Sequence, residues 1–162
     1  MRLSEILRNS ETLLPGRPHE IEQILLSIFQ MKRIDLYLSK DRELSSEELI
    51  LWDKCLSRSI RGEPLQHILG TQAFLNHEYL VSPEVLIPRP ETEILVLAII
   101  ENYKTSGIHP KLGFELGVGS GVISLELLHH FETLKMIGTD VSRDALRIAD
   151  RNRERLQISR TR

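Results

Sequence analysis

Apolar and polar positions change period twice along the chain. Up to about residue 62 the period is helical. Leu3, Ile6 and Leu7, then Leu13 and Leu14, fall near helical spacing, and Ile21, Ile24, Leu25, Ile28 and Phe29 occupy i, i+3, i+4, i+7 and i+8 of one face. Pro18 suits the first turn of that helix, where a missing N–H costs nothing. A short apolar segment, Ile34 to Leu38, follows. Ser45 and Glu48 then have capping-box spacing, ahead of a stripe formed by Leu49, Trp52, Cys55, Leu56 and Ile60. Gly62 and Pro64 end it. Residues 1–62 thus predict a small helical bundle.

Over residues 63–89 the helical period is lost. Gln66 to Phe74 and Glu78 to Leu86 lean towards strand and are broken by Gly70, Asn76 and Pro83, which predicts a hairpin linker. Ile87-Pro88-Arg89-Pro90 is extended, because each proline forces its predecessor out of helical geometry. Pro90 can open a helix with Glu91 and Glu93 in its first turn, where negative charge complements the dipole. Ile94 to Tyr103 is apolar on nearly every side, which predicts a buried helix.

Residues 90–162 end in an α/β pattern. Lys111 to Leu116 reads as a strand, Gly117 to Gly121 as a loop, Val122 to Phe131 as a helix and Lys135 to Asp140 as a second strand. Ser142 caps a helix over 143–155. Strand, helix, strand and helix at this spacing predict parallel strands joined by a right-handed crossover.

Composition narrows the function classes. The 162 residues carry a formal charge of −2 and a pI near 6.3, far from the basic balance of a nucleic-acid-binding domain. The last twenty residues hold seven arginines against three acids, the pattern of a solvated helix face. One cysteine, Cys55, excludes a disulfide framework within the chain and a cysteine-based zinc site. The six histidines have no metal-ligand spacing. The longest apolar run, Ile94 to Ile100, is seven residues, against roughly 20 for a membrane span, and Met1 to Glu5 lacks a signal peptide's apolar core. The expected setting is the cytoplasm.

The candidate chemistry lies in Glu115-Leu116-Gly117-Val118-Gly119-Ser120-Gly121, between a strand and a helix. Glycines there let the backbone approach a ligand closely, and Asp140, at the end of the next strand, is placed to accept both hydroxyls of a ribose. Two ligand classes compete, beside a turn with no ligand at all. A dinucleotide fingerprint needs a third small residue where Val122 stands. Counted from Gly119 it needs one at Ser124, which fits imperfectly. The spacing present, Glu-x-Gly-x-Gly-x-Gly, resembles the first motif of S-adenosyl-L-methionine-dependent methyltransferases, and Glu115, which would repel a pyrophosphate but tolerates an ammonium group, favours that class. Duller roles exist for each residue: Asp140 as a helix cap, Glu91 and Glu93 as dipole partners, Arg89 in a surface ion pair, Trp52 and Cys55 in a core.

Leu86-Ile87-Pro88-Arg89-Pro90-Glu91-Thr92-Glu93 followed by the glycine motif resembles the HemK/PrmC family, protein-(glutamine-N5) methyltransferases that act on peptide-chain release factors. Gly62-Glu63-Pro64-Leu65-Gln66-His67-Ile68-Leu69-Gly70 with Phe74 fits the same pattern, as does Thr139-Asp140-Val141-Ser142 with Ala145, Leu146 and Asn152. The resemblance implies a helical substrate-recognition domain, a hairpin linker and the first part of a Rossmann-like class I methyltransferase domain. It implies that Glu115, Gly117, Val118, Gly119, Ser120, Gly121 and Asp140 bind S-adenosyl-L-methionine, and that Arg89, Thr92 and Glu93 border the pocket. Two departures stand out. His67 replaces a usual tyrosine, and the family's catalytic Asn-Pro-Pro-Tyr is absent from the 162 residues. The expectation is therefore a truncated or decayed form, inactive by itself, whose last third exposes apolar strand faces and an unpaired edge. The rival readings are a non-catalytic module that binds release factor or cofactor, and an NAD-dependent oxidoreductase.

Overall fold

A computed structural model describes residues 1–159. Residues 160–162, with two of the tail arginines and the end of the expected 90–162 segment, lie outside the described residues. The chain divides into two compact units, Met1–Leu69 and Gly70–Arg162.

The first unit is all helix: α1 (Leu3–Arg8), α2 (Ser10–Leu13), α3 (Pro18–Phe29), α4 (Arg33–Leu38), α5 (Ser46–Ile60) and α6 (Leu65–Leu69). The apolar stripes seen in the sequence form its core, with Leu3, Ile6, Leu14, Ile21, Ile24, Leu25, Leu36 and Trp52 all buried. Pro18 stands in the first turn of α3. Ser45 and Glu48 close the capping box: Ser45 Oγ accepts the Glu48 N–H at 3.2 Å, and the Ser45 N–H donates to the Glu48 carboxylate at 2.8 Å. Ser45→Ala is expected to destabilise this unit by about 1 kcal/mol, read as an earlier denaturant midpoint of Trp52 fluorescence; an unchanged midpoint would show the cap to be idle.

Residues 66–69 are helical where strand was expected. Pro64 starts the turn, its carbonyl accepting the N–H groups of His67 at 3.0 Å and Ile68 at 3.1 Å, and Leu65 and Leu69, one turn apart, both pack on the core. Arg58, on the preceding helix, donates to the carbonyls of His67 at 3.0 Å and Ile68 at 3.3 Å and pairs with Glu63. The end of α6 is thus satisfied by a side chain from another helix, which helix propensity alone does not register.

The second unit is mixed α/β. A hairpin, β1 (Thr71–Phe74) against β2 (His77–Leu80), is followed by α7 (Pro90–Ser106), β3 (Leu112–Leu116), α8 (Val122–His130), β4 (Lys135–Thr139) and α9 (Arg143–Arg155). β3 and β4 are parallel, with Phe114 opposite Ile137 and Leu116 opposite Thr139. The core joins Phe74 and Tyr79 of the hairpin to Val96 and Ile100 of α7 and to Val122, Leu125 and Leu128 of α8.

α7 is not buried all round. Val96 and Ile100 are covered by α8 and the hairpin, but Ile94, Leu95 and Leu97 are exposed. The sheet is open as expected. Leu112, Phe114 and Leu116 share one face of β3, and Phe114 is 67% and Leu116 87% exposed. Parallel strands are ordinarily covered on both faces.

Candidate functional site

The glycine loop is pinned at its base by β4. The N–H groups of Gly117 and Val118 both donate to the Thr139 carbonyl, at 2.8 and 2.9 Å. Its tip is tied to the next loop, where the Gly119 N–H donates to Asp140 Oδ2 at 2.9 Å. The other Asp140 oxygen accepts the Ser142 N–H at 2.9 Å. These backbone N–H groups, Ser142 first and then Gly119, hold the Asp140 carboxyl below the usual aspartate range. Ser142, not Asp140, caps α9, its Oγ accepting the Ala145 N–H at 3.2 Å. With Val141 as a weaker third backbone donor, the carboxylate still has acceptor capacity for ligand hydroxyls.

Glu115 reaches from β3 to the first turn of α8. Its Oε2 accepts the Ser124 N–H at 3.0 Å and the Ser124 hydroxyl. Burial pushes this carboxyl up, against the two bonds from Ser124, which favour the charged form. A helix N-terminus that would otherwise suit a phosphate is therefore already occupied by an acid.

A cleft of about 430 Å³ lies along the loop. Glu115, Gly117, Val118, Gly119 and Ser120 form one wall, and Arg89 and Thr92 stand among the residues of the linker side. A Cβ added to Gly117 or Gly119 would meet no atom within 4 Å, so the backbone there faces open space. The other three residues sit elsewhere. Glu93 Oε1 accepts the Leu75 N–H at 2.9 Å and holds the hairpin turn, where Leu75 adopts a left-handed φ of 50°. Gly121 faces Leu125 and Ala149, in the packing of α8 and α9. Asp140, at the end of β4, ties the loop tip and is not among the residues that line the cleft.

Sequence reasoning passed over Glu126. It is 1% exposed, with Oε1 accepting the Tyr79 hydroxyl at 2.8 Å and lying 2.8 Å from His77 Nδ1. Burial first, then Glu126, pushes the Tyr79 hydroxyl far above its ordinary value. The signal was an acid inside the apolar run Leu125 to Leu128. Among the described residues no group of three or more His, Cys, Asp or Glu side chains could hold a metal ion, and no helix is long and apolar enough to cross a membrane.

Residues 3–70 match the family of PrmC N-terminal domains. The chain is 38% identical over 136 residues to a protein of Koribacter versatilis named release factor glutamine methyltransferase, a match covering 84% of this chain and 48% of the relative. A protein of the same name from Geobacter sulfurreducens is 36% identical over 136 residues, covering 84% of this chain and 46% of the relative. A third, from Bacillus subtilis, is 32% identical over 139 residues, covering 83% of this chain and 48% of the relative. The chain spans about half the length of these curated relatives. Matches of this extent take in the linker and the glycine loop wherever they begin.

Proposed function

We propose that this chain, whose residues 3–70 match the family of PrmC N-terminal domains and which is similar to release factor glutamine methyltransferases, carries the cofactor-binding part of an S-adenosyl-L-methionine-dependent enzyme. The substrate in this proposal is a glutamine side-chain amide of a peptide-chain release factor, methylated at N5. The second unit is read as the start of a Rossmann-like class I methyltransferase domain, the first as the part that grips the release factor, and the setting as the cytoplasm.

The observation that carries the reading is the pair of carboxylates on the loop's donors. Glu115 occupies the start of α8 and Asp140 the Gly119 N–H. A pyrophosphate approaching the loop would be repelled by these carboxylates, whereas a cationic ligand without phosphate would be attracted to them. When bound, the cofactor supplies an electrophilic methyl group on a sulfonium. In this chain the bare backbone at Gly117 and Gly119 admits its methionine part, and the Asp140 carboxylate accepts the sugar hydroxyls. Arg89 and Thr92 close the linker side of the cleft.

An amide nitrogen is a poor nucleophile, since its lone pair is delocalised into the carbonyl. Transfer needs close alignment and acceptors for the amide N–H groups. No Asn-Pro-Pro-Tyr stands in these 162 residues to provide them, so the 162-residue chain is proposed to bind cofactor without turning over. Calorimetry of the purified chain is expected to show saturable binding of S-adenosylhomocysteine and no heat with NAD. Labelled S-adenosyl-L-methionine is expected to leave release factor unmethylated. Saturable binding of NAD alone would overturn the cofactor, and robust methylation would overturn the inactivity.

A further inference from the structure

Asn152, near the end of α9, is 0% exposed. Its side-chain oxygen accepts the Leu80 N–H at 2.6 Å, and its nitrogen donates to the carbonyls of Leu80 at 3.0 Å and Ser120 at 2.8 Å. Towards Leu80 the carboxamide behaves as a neighbouring strand would, pairing both backbone groups at the end of β2. Its remaining hydrogen goes to the glycine loop. Only one orientation satisfies these partners, because a flipped amide would set its oxygen against two carbonyls.

We infer that Asn152 is a positioning residue: by tying Ser120 to the end of the hairpin it holds the tip of the glycine loop in the form that receives the ligand. The loop's base needs no such help, since Gly117 and Val118 are held by Thr139. The tip has two side-chain ties, Gly119 to Asp140 and Ser120 to Asn152. Without the second, the peptide between Ser120 and Gly121 is held by the Gly121 N–H on the Val118 carbonyl at 2.8 Å alone, and its loosening carries the Gly119 N–H away from Asp140. The inference rests on the loop being the S-adenosyl ligand's site, but the tie has a readout that needs no ligand.

The test is amide hydrogen exchange on the full chain, read by NMR, with S-adenosylhomocysteine calorimetry beside it. In Asn152→Ala, Gly119 and Gly121 are expected to exchange about tenfold faster, while Gly117 and Val118 keep their rates and affinity falls by a similar factor. Tyr79→Phe removes a buried hydrogen bond elsewhere in the same unit and is expected to spare both the loop rates and the affinity. Equal acceleration of all four amides in Asn152→Ala, or none, overturns the inference, as does parental affinity in a parent that binds. Should Asn152→Ala fail to fold, Asn152→Asp carries the test. Its protonated form can again donate to one carbonyl, so tip protection is expected to recover as the pH falls, and absence of recovery overturns the tie. A parent that binds no S-adenosylhomocysteine, with exchange altered as expected, supports the tie and overturns only the ligand reading.

Discussion

Asp140→Ala is expected to abolish measurable S-adenosylhomocysteine binding at micromolar protein, a loss of about 100-fold or more. Two contributions add. The first is direct: in the proposed site the carboxylate accepts ligand hydroxyls, and hydrogen bonds to a charged acceptor each contribute roughly 1.5–3 kcal/mol. The second is indirect, since the same carboxylate holds the N–H groups of Gly119 and Ser142, and both are left without their partner. Asp140→Asn separates the two. It keeps one acceptor but sets an NH2 group against the other backbone N–H, so the tip is disturbed while the hydroxyls retain a partner. It is expected to fall between parent and alanine variant.

The pH dependence has a definite sign. The folded carboxyl of Asp140 lies below its unfolded value of 3.8, so its contribution to stability is complete above that value and is lost as the pH falls through the lower folded one. Glu115 runs the other way, because its folded value is raised above 4.5; its contribution is present in acid and fades as the pH rises through the raised value. Removing Asp140 should therefore leave a loop whose stability no longer declines in acid on that account. Titration calorimetry of the variants decides the case, and parental affinity in Asp140→Ala would remove this residue from the ligand site.

How much of this was legible in the sequence depends on how local each cause is. The capping box of Ser45 and Glu48, the proline starts of α3 and α7, and the strand, glycine loop and helix succession are written within a few residues of where they act. The structure has them where the pattern predicts, with α9 over Arg143–Arg155 and α8 over Val122–His130. What escaped is non-local. The helix over Leu65–Leu69 is ended by Arg58 from another helix. Glu93, read as a dipole partner or pocket residue, holds the Leu75 N–H eighteen positions away. Glu126 is joined to Tyr79 and His77 across 47 and 49 positions. The apolar circumference of α7 predicted burial from composition, but within the described residues Ile94, Leu95 and Leu97 are exposed. In the loop itself the pattern did not distinguish one glycine from another: Gly117 and Gly119 face open space, whereas Gly121 faces packed atoms.

That difference sets the largest expected effect on stability. Gly121 has φ 86°, and a Cβ there would lie 3.1 Å from Leu125 Cδ1, 3.2 Å from Ala149 Cβ and 3.4 Å from the Ala149 backbone. A side chain thus meets two independent penalties. The left-handed backbone costs an L-residue about 1–2 kcal/mol, more for a β-branched one. Forcing methyl groups into the junction of α8 and α9 costs about 1–3 kcal/mol. Neither neighbour yields easily, since Leu125 belongs to the buried core and Ala149 offers only its Cβ and backbone. Gly121→Val is expected to destabilise the second unit by roughly 3–5 kcal/mol, a large share of what a domain of this size has. Gly117→Ala, at φ 75° with nothing within 4 Å of its Cβ, meets only the backbone penalty and is expected to cost about 1–2 kcal/mol. The chain supplies its own reporter, because its single tryptophan, Trp52, is buried in the core of the first unit. Loss of far-ultraviolet ellipticity in Gly121→Val at unchanged Trp52 emission assigns the damage to the second unit. Equal denaturant midpoints for Gly121→Val and Gly117→Ala would mean that the junction is not packed as the distances state.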